Sequence, residues 1–414
     1  VFMEKDVIKE IRKVFIEELK SYEGEPILFD KIGRDILDKI IFDYNKKDGV
    51  IFKTIAKEIF NVSSKIDFLN ISFDNAKVRS EDFENFHNIR INPQTVFEKD
   101  LSYGYFKNVI FTGSFDDVNI EGTIFENNKG IFINPQTIRN KSLEGTVLDS
   151  AVFIGGFKGV NIRHAEFDGS TGAMIDVSKI KNKDLSFTQL KDTFIKGSFR
   201  GVELYQTNFG GAKSIDGGMI RINPQILNRK SLDCSSFDGV EFTGNFDGVY
   251  IYKNNFRNSK GAVINPQTLR SKDLSGCIFD DVTFDGPFDN MQINQVNFKG
   301  SMGAVINPQT VKDKNLSHSN FCDVTFIGPF NGVDVRTANF EGSVNAVINP
   351  QTVKDKDLSF TNLKSAIVVD DFDGVFTVGD LEYDPELLID RDGVIEKEEK
   401  EDIIVKIKQN IYKR

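Results

Sequence analysis

Residues 306–347 read INPQTVKDKNLSHSNFCDVTFIGPFNGVDVRTANFEGSVNAV, and at Ile348 nearly the same text begins again. Its opening tetrad, Ile-Asn-Pro-Gln, starts at Ile91, Ile133, Ile222, Ile264, Ile306 and Ile348, with a degenerate Ile-Asp-Val-Ser at Ile175. Successive copies are 42, 42, 47, 42, 42 and 42 residues apart. A fixed period of this length is the mark of a solenoid, in which each repeat buries its apolar face on its neighbours. The one long step holds five extra residues around Ser214–Gly218, which are predicted to form a protruding loop.

Within the quoted unit the apolar anchors are Leu316, Phe321, Phe326, Phe330, Val335, Phe340, Ile348, Val353 and Leu358, in gaps of 5, 5, 4, 5, 5, 8, 5 and 5. Such spacing is neither the 3.6 of a helix nor the 2.0 of a plain strand. It fits a square coil with one large inward residue per side and two coils per unit. Small or β-branched residues two positions earlier, Ser319, Val324, Val333 and Ala338, would share each side and fill a narrow interior. The aromatic usage agrees: 38 Phe, nine Tyr and no Trp mean one ring shape filling one kind of slot many times. At about 4.8 Å per coil, some fifteen turns would make a rod of roughly 70 Å.

Two departures from the step of five carry their own expectations. A glycine column, Gly113, Gly155, Gly197, Gly244, Gly286 and Gly328, is expected to supply left-handed corners. The step of eight is expected at Asn-Pro-Gln, where proline cannot donate and holds the Asn extended, so that side should bulge or turn.

On these residues the chain resembles the pentapeptide-repeat family, whose loose consensus is Ala-(Asp/Asn)-(Leu/Phe)-x-x. Matching stretches include Ala338-Asn339-Phe340, Ala165-Glu166-Phe167, Thr361-Asn362-Leu363 and Ser319-Asn320-Phe321. The resemblance covers about three quarters of the chain and implies a mainly β fold, a right-handed quadrilateral β-helix. The expected division is a helical domain or cap at 1–65, the β-helix at 66–382, and a turn with a capping helix at 383–414. Amphipathic stripes support the ends: Val7, Ile11, Val14 and Phe15, then Ile32, Ile36, Leu37 and Ile40, then Ile51, Ile55 and Ile59, and finally Ile403, Ile404, Ile407 and Ile411. Caps of this kind would cover the open strand edges of a solenoid.

Composition narrows the function classes. The net charge of −10 is diffuse, which argues against a basic footprint for nucleic acid. Three scattered cysteines, Cys234, Cys277 and Cys322, make no disulfide framework and suit a reducing, cytoplasmic setting. The charged, amphipathic first twenty residues do not read as a secretory leader, and no apolar run approaches the ~20 residues of a membrane span.

Chemistry-bearing residues do not gather into a catalytic pattern. His87, His164 and His318 occupy different repeat phases; Cys277 falls two before an anchor and is expected buried, while Cys322 follows one. Asp116, Asp117, Asp247 and Asp289 recur beside Phe anchors, and a repeating ladder is a surface where an active site is a singular arrangement. A weak metal candidate is Asp390-x-Asp392-Gly393-x-Ile395 with Glu399, which is similar to the latter part of an EF-hand loop. Leu388 would stand at the first ligand position and cannot coordinate, and Asp-Gly is an ordinary turn pair.

The function expected is therefore a noncatalytic scaffold that binds another protein through its repetitive surface and its helical ends, with no catalytic residues and no cofactor. Direct nucleic-acid binding and membrane association are not expected; the terminal helices offer a route to a homodimer. Two alternatives remain: a structural spacer, and a DNA-mimicking modulator of a type II topoisomerase, which the family resemblance implies for some members. A continuous acidic strip would favour the mimic and a mixed surface the scaffold.

Overall fold

The computed structural model describes residues 73–75, 77–79, 83, 89–379, 381–390 and 393–394. The helical readings at 1–65 and 396–413 lie outside the described residues. The chain divides into two compact units, one of residues 1–182 and 191–194 and one of 183–190 and 195–414. Each is a β-helix built from strands of two or three residues. No helix among the described residues is long and apolar enough to cross a membrane.

Strands are this short because each side of a coil is one in-out-in triplet between corners. In the second unit Val305–Ile306 pairs in parallel with Thr325–Phe326, and Val347–Ile348 with Ile367–Val369. In the first, Tyr105–Lys107 pairs with Ile124–Glu126, which pairs with Val147–Leu148. The corners between sides are left-handed and are mostly not glycine: Asp313 has φ 56°, Asp323 69° and Asn345 59°. Asn and Asp tolerate that region because their short polar side chains bond locally.

The inward register is the one expected. Leu316, Phe321, Phe326, Phe330, Val335, Phe340, Ile348, Val353 and Leu358 are all buried, as are their smaller companions Ser319, Val324, Val333 and Ala338. Phe237, Phe256, Phe279, Phe298, Phe321 and Phe340 form one continuous stack with centroids 5.4–5.9 Å apart. Phe284 and Phe288 meet this stack edge-on or tilted from the side. Offset and edge-to-face pairs add to simple area burial, which explains why Phe fills the slot.

The two coils of a unit differ in length, and bridges at one side alternate between offsets of 19 and 23 residues, as in Asn320↔Asn339 and Asn339↔Asn362. The longer coil corrects the expected location of the step of eight. Asn-Pro-Gln itself lies in an ordinary step of five, from Ile348 to Val353. The surplus precedes it, where Ser343 turns inward, Val344 bridges back to Thr325, Asn345 takes φ 59° and Ala346 turns inward again. The chain thus jogs before Ile348, and Val347 opens onto the following coil.

The 47-residue step appears as the bridge Asn208↔Ser236, five residues longer than its equivalents. Ile215 to Gly218 are exposed, and Asp216 Oδ1 accepts from Gly218 N at 3.0 Å to close the loop on itself. Deleting Ser214–Gly218 is expected to change stability by no more than about 1 kcal/mol, because Asp216–Gly218 are exposed and Ser214 and Ile215 give up only the end of a short ladder, where Ile215 N donates to the Ile195 carbonyl at 3.1 Å. Chemical denaturation checks this, and a large loss would make the loop part of the coil.

At the far end Leu388–Asp390 continues the parallel ladder and then pairs antiparallel with Gly393–Val394, Asp390 opposite Gly393. This hairpin covers one ladder edge. Asp392 and Glu399 lie outside the described residues.

Candidate functional site

The wall residue types that recur most faithfully turn out to hold coil to coil. In Asn-Pro-Gln the Asn is extended, with φ −100° at Asn223 and −94° at Asn265, as proline requires. Its Oδ1 accepts from the Gln backbone N at 2.8–3.0 Å in all six copies, from Asn92 with Gln94 to Asn349 with Gln351. The proline is buried. The Gln side chain then reaches the next coil, where Nε2 donates to two carbonyls of one corner. Gln309 takes Pro329 and Asn331, at 2.9 and 3.0 Å, and Gln267 takes Pro287 and Asp289. A lysine five residues on, Lys141, Lys230, Lys314 or Lys356, donates to the remaining Oε1. Sequence reading missed this clamp, although a lysine at fixed distance from each Gln was its signal.

The glycine column needs a correction. Gly113, Gly155, Gly244, Gly286 and Gly328 are not left-handed; Gly197, at φ 92°, is the exception. Their need is space: a Cβ at each would fall far inside van der Waals contact of the Oδ1 of Asn92, Asn134, Asn223, Asn265 or Asn307 on the preceding coil. At the corresponding place in the last unit Asp370 accepts from Asn349 Nδ2 at 3.3 Å, a polar pair where the others have glycine.

The remaining candidates are dispersed. Cys277 is buried, its Sγ 2.8 Å from the Ile251 carbonyl, and burial pushes its thiol up to about 12. Burial also raises Cys234 and Cys322, so none of the three is an activated nucleophile. His164 and His318 are exposed at left-handed corners, and His87 lies outside the described residues. Asp116 accepts from Thr137 Oγ1, which holds its carboxyl below the usual range, while Asp117 pairs with Arg139 at 3.4 Å. Asp247 and Asp289 each lend a backbone carbonyl to a Gln clamp. Among the described residues no three His, Cys, Asp or Glu are placed to hold a metal ion.

One carboxylate stands apart by burial. Asp334 is 4% exposed and is gripped by Arg336 through both guanidinium Nε, at 2.9 Å, and Nη2, with Lys354 at 3.8 Å. The Arg336 bond holds its carboxyl below the ordinary value. A depressed folded value gives stability that is complete above the unfolded carboxyl value of about 3.9 and is lost as pH falls through the folded one. Asp334→Asn is expected to cost about 1–2 kcal/mol at neutral pH, allowing for the half-exposed Arg336. The gap from wild type should close in acid, and denaturation midpoints across pH test it.

Outward residues in the second unit form register-aligned columns of distinct chemistry. One side carries Asn297, Asn320, Asn339 and Asn362 on successive coils. Another carries Val263, Thr283 and Met302, then Val305, Thr325 and Val344, then Val347 and Ile367. A corner carries Lys230, Lys272, Lys314 and Lys356, one per two coils, with Tyr250, Gln292, Asp334 and Phe376 donating to their carbonyls from the coils between. From Lys312 onward cations and carboxylates are interleaved along this corner, with Asp313 and Asp355 between lysines and Asp334 on the coil between, and no continuous acidic strip forms there.

No protein-family model matches the chain, and no curated protein matches it. Among solved structures the chain is similar to HetL, a pentapeptide repeat protein involved in heterocyst differentiation regulation from the cyanobacterium Nostoc. The identity is 13%, over 75% of this chain and 96% of that one, with a TM-score of 0.16. It is also similar to QnrB1, a plasmid-mediated fluoroquinolone resistance protein, at 13% identity over 70% of this chain and 87% of that one, with a TM-score of 0.13. Scores this low carry no argument, and the fold rests on the register and burial of the chain's own coils.

Proposed function

From the premise that this chain is built as a pentapeptide-repeat β-helix, we propose that it is a noncatalytic scaffold that binds another protein. The observation that supports this most is the set of register-aligned outward columns, amide on one side, apolar on another and mixed charge at a corner. Each is regular over several coils, and together they make an extended surface. The mixed charge favours a scaffold over a DNA mimic, which would present acid continuously. Helical ends that recruit the partner belong to the same proposal.

The test is affinity capture on immobilised full chain, competed by free chain, against a chain lacking residues 1–65 and 383–414. The expected result is saturable retention of a protein partner that falls on removal of the ends. Retention of no protein by the full chain overturns the scaffold; undiminished retention by the truncated chain moves recognition wholly onto the coils.

A further inference from the structure

Against a net charge of −10 for the chain, residues 221–272 hold eight Lys and Arg and only four Asp and Glu. Part of this excess converges at one corner of the second unit. There the triplets Asn228-Arg229-Lys230 and Arg270-Ser271-Lys272 are joined through the coil between them: Tyr250 N donates to the Lys230 carbonyl, and Arg270 N to the Val249 carbonyl. The Arg270 guanidinium lies over the Tyr250 ring, 4.9 Å from its centroid, and its Nη1 is 3.5 Å from the Arg229 carbonyl. On the adjoining corner the Lys253 ammonium sits 5.2 Å from the Tyr252 ring.

Among the described residues Arg229, Lys230, Arg270 and Lys272 form no ion pair. The ion pairs formed by this stretch are Arg221 with Glu241 and Arg257 with Asp280, both involving other cations. The neighbouring carboxylates are turned to local backbone: Asp233 Oδ1 accepts from Tyr252 N at 3.1 Å, and Asp273 Oδ1 from Ser275 N at 2.8 Å. Arg229 and Arg270 are exposed. At the same corner of the next two units the triplets are Lys312-Asp313-Lys314 and Lys354-Asp355-Lys356, each with an acid in the middle. The upstream triplets Arg139-Asn140-Lys141 and Lys181-Asn182-Lys183 also lack an acid, with Arg139 paired to Asp117 at 3.4 Å; what marks this corner is the Arg270 guanidinium over Tyr250.

We propose that this corner docks a short acidic segment of a partner protein, with Arg229 and Arg270 receiving two carboxylates and Tyr250 lying between. This rests on the scaffold reading and gives it an address and a chemistry. The two arginine levels are two coils apart, about 10 Å, which an extended peptide spans with acidic residues three apart. A nucleic acid strand needs a basic track that continues along many phosphates. Here the track is bounded on one side by Glu203, which accepts from Asn228 Nδ2 at 2.9 Å, and on the other by Asp313 and Asp334. A compact acidic segment fits between those limits.

The experiment is fluorescence anisotropy of the full chain with labelled octaglutamate at low salt, alongside a single-stranded oligonucleotide of equal charge. Saturable peptide binding is expected, weakened about tenfold or more by Arg229→Glu with Arg270→Glu. The matched control, Lys312→Glu with Lys354→Glu, should change it by less than about twofold. The pair Arg229→Gln with Arg270→Gln gives the same comparison should the charge reversal unfold the chain, which melting curves report. Equal weakening by patch and control variants, tighter binding of the oligonucleotide, or no saturable peptide binding each overturn the proposal. If partner capture persists while the peptide fails, the patch is wrong and the scaffold stands; loss of capture from the wild-type chain sinks the scaffold itself.

Discussion

Phe288→Asp is expected to remove about 4 kcal/mol or more of stability and to open the coils around residues 279–298. Phe288 is 1% exposed, and its ring meets Phe284 and Phe298 edge-on at centroid distances of 5.0 and 5.5 Å. Deleting a packed Phe alone costs roughly 3–5 kcal/mol, and a carboxylate left there would have no cation or donor beside it. The group would have to protonate or drag its coil open to water. Because each coil of a solenoid is held chiefly by its neighbours, the damage should spread to the adjoining Phe stack. Phe288→Leu serves as the conservative reference and should lose far less. Urea denaturation followed by circular dichroism measures both; an Asp variant as stable as wild type would refute the inward register at this side.

The second large effect is expected at Gly328. Its backbone is not left-handed, but a Cβ there collides with Asn307 Oδ1. That oxygen is already committed, accepting from Gln309 N at 3.0 Å, so it cannot swing away without leaving a donor unpaired. Gly328→Val should therefore cost about 2–4 kcal/mol, from overpacking together with the lost hydrogen bond. Gly156→Ala is the contrasting case, since a Cβ there meets nothing within 4 Å and φ is not left-handed. It should be neutral or slightly stabilising, through the smaller entropy of the unfolded chain. If Gly328→Val melted with wild type, the close approach of the two coils would not be what the glycine column serves.

The repeat by itself determined the solenoid, its two-coil unit, the inward Phe, Leu and Ile register and the surface loop around Ser214–Gly218. These follow from one local rule, an inward side chain about every five residues, which a single pass along the chain reveals. The stacking of coils decided the rest. Why Gly328 must be glycine depends on Asn307, and what Gln309 is for depends on the carbonyls of Pro329 and Asn331, partners some twenty residues away. The same holds for the surplus residues before Ile348, which read as an Asn-Pro-Gln bulge until their bridges to Thr325 and Ile367 are known. The basic corner is more distant still, joining Arg229 to Arg270 across an intervening coil. Spacing fixes which way a side chain faces, but the neighbour it meets is set by the register between coils. That register alternates between 19 and 23 residues because one coil turns through a four-residue side and the other through the jog before Ile348.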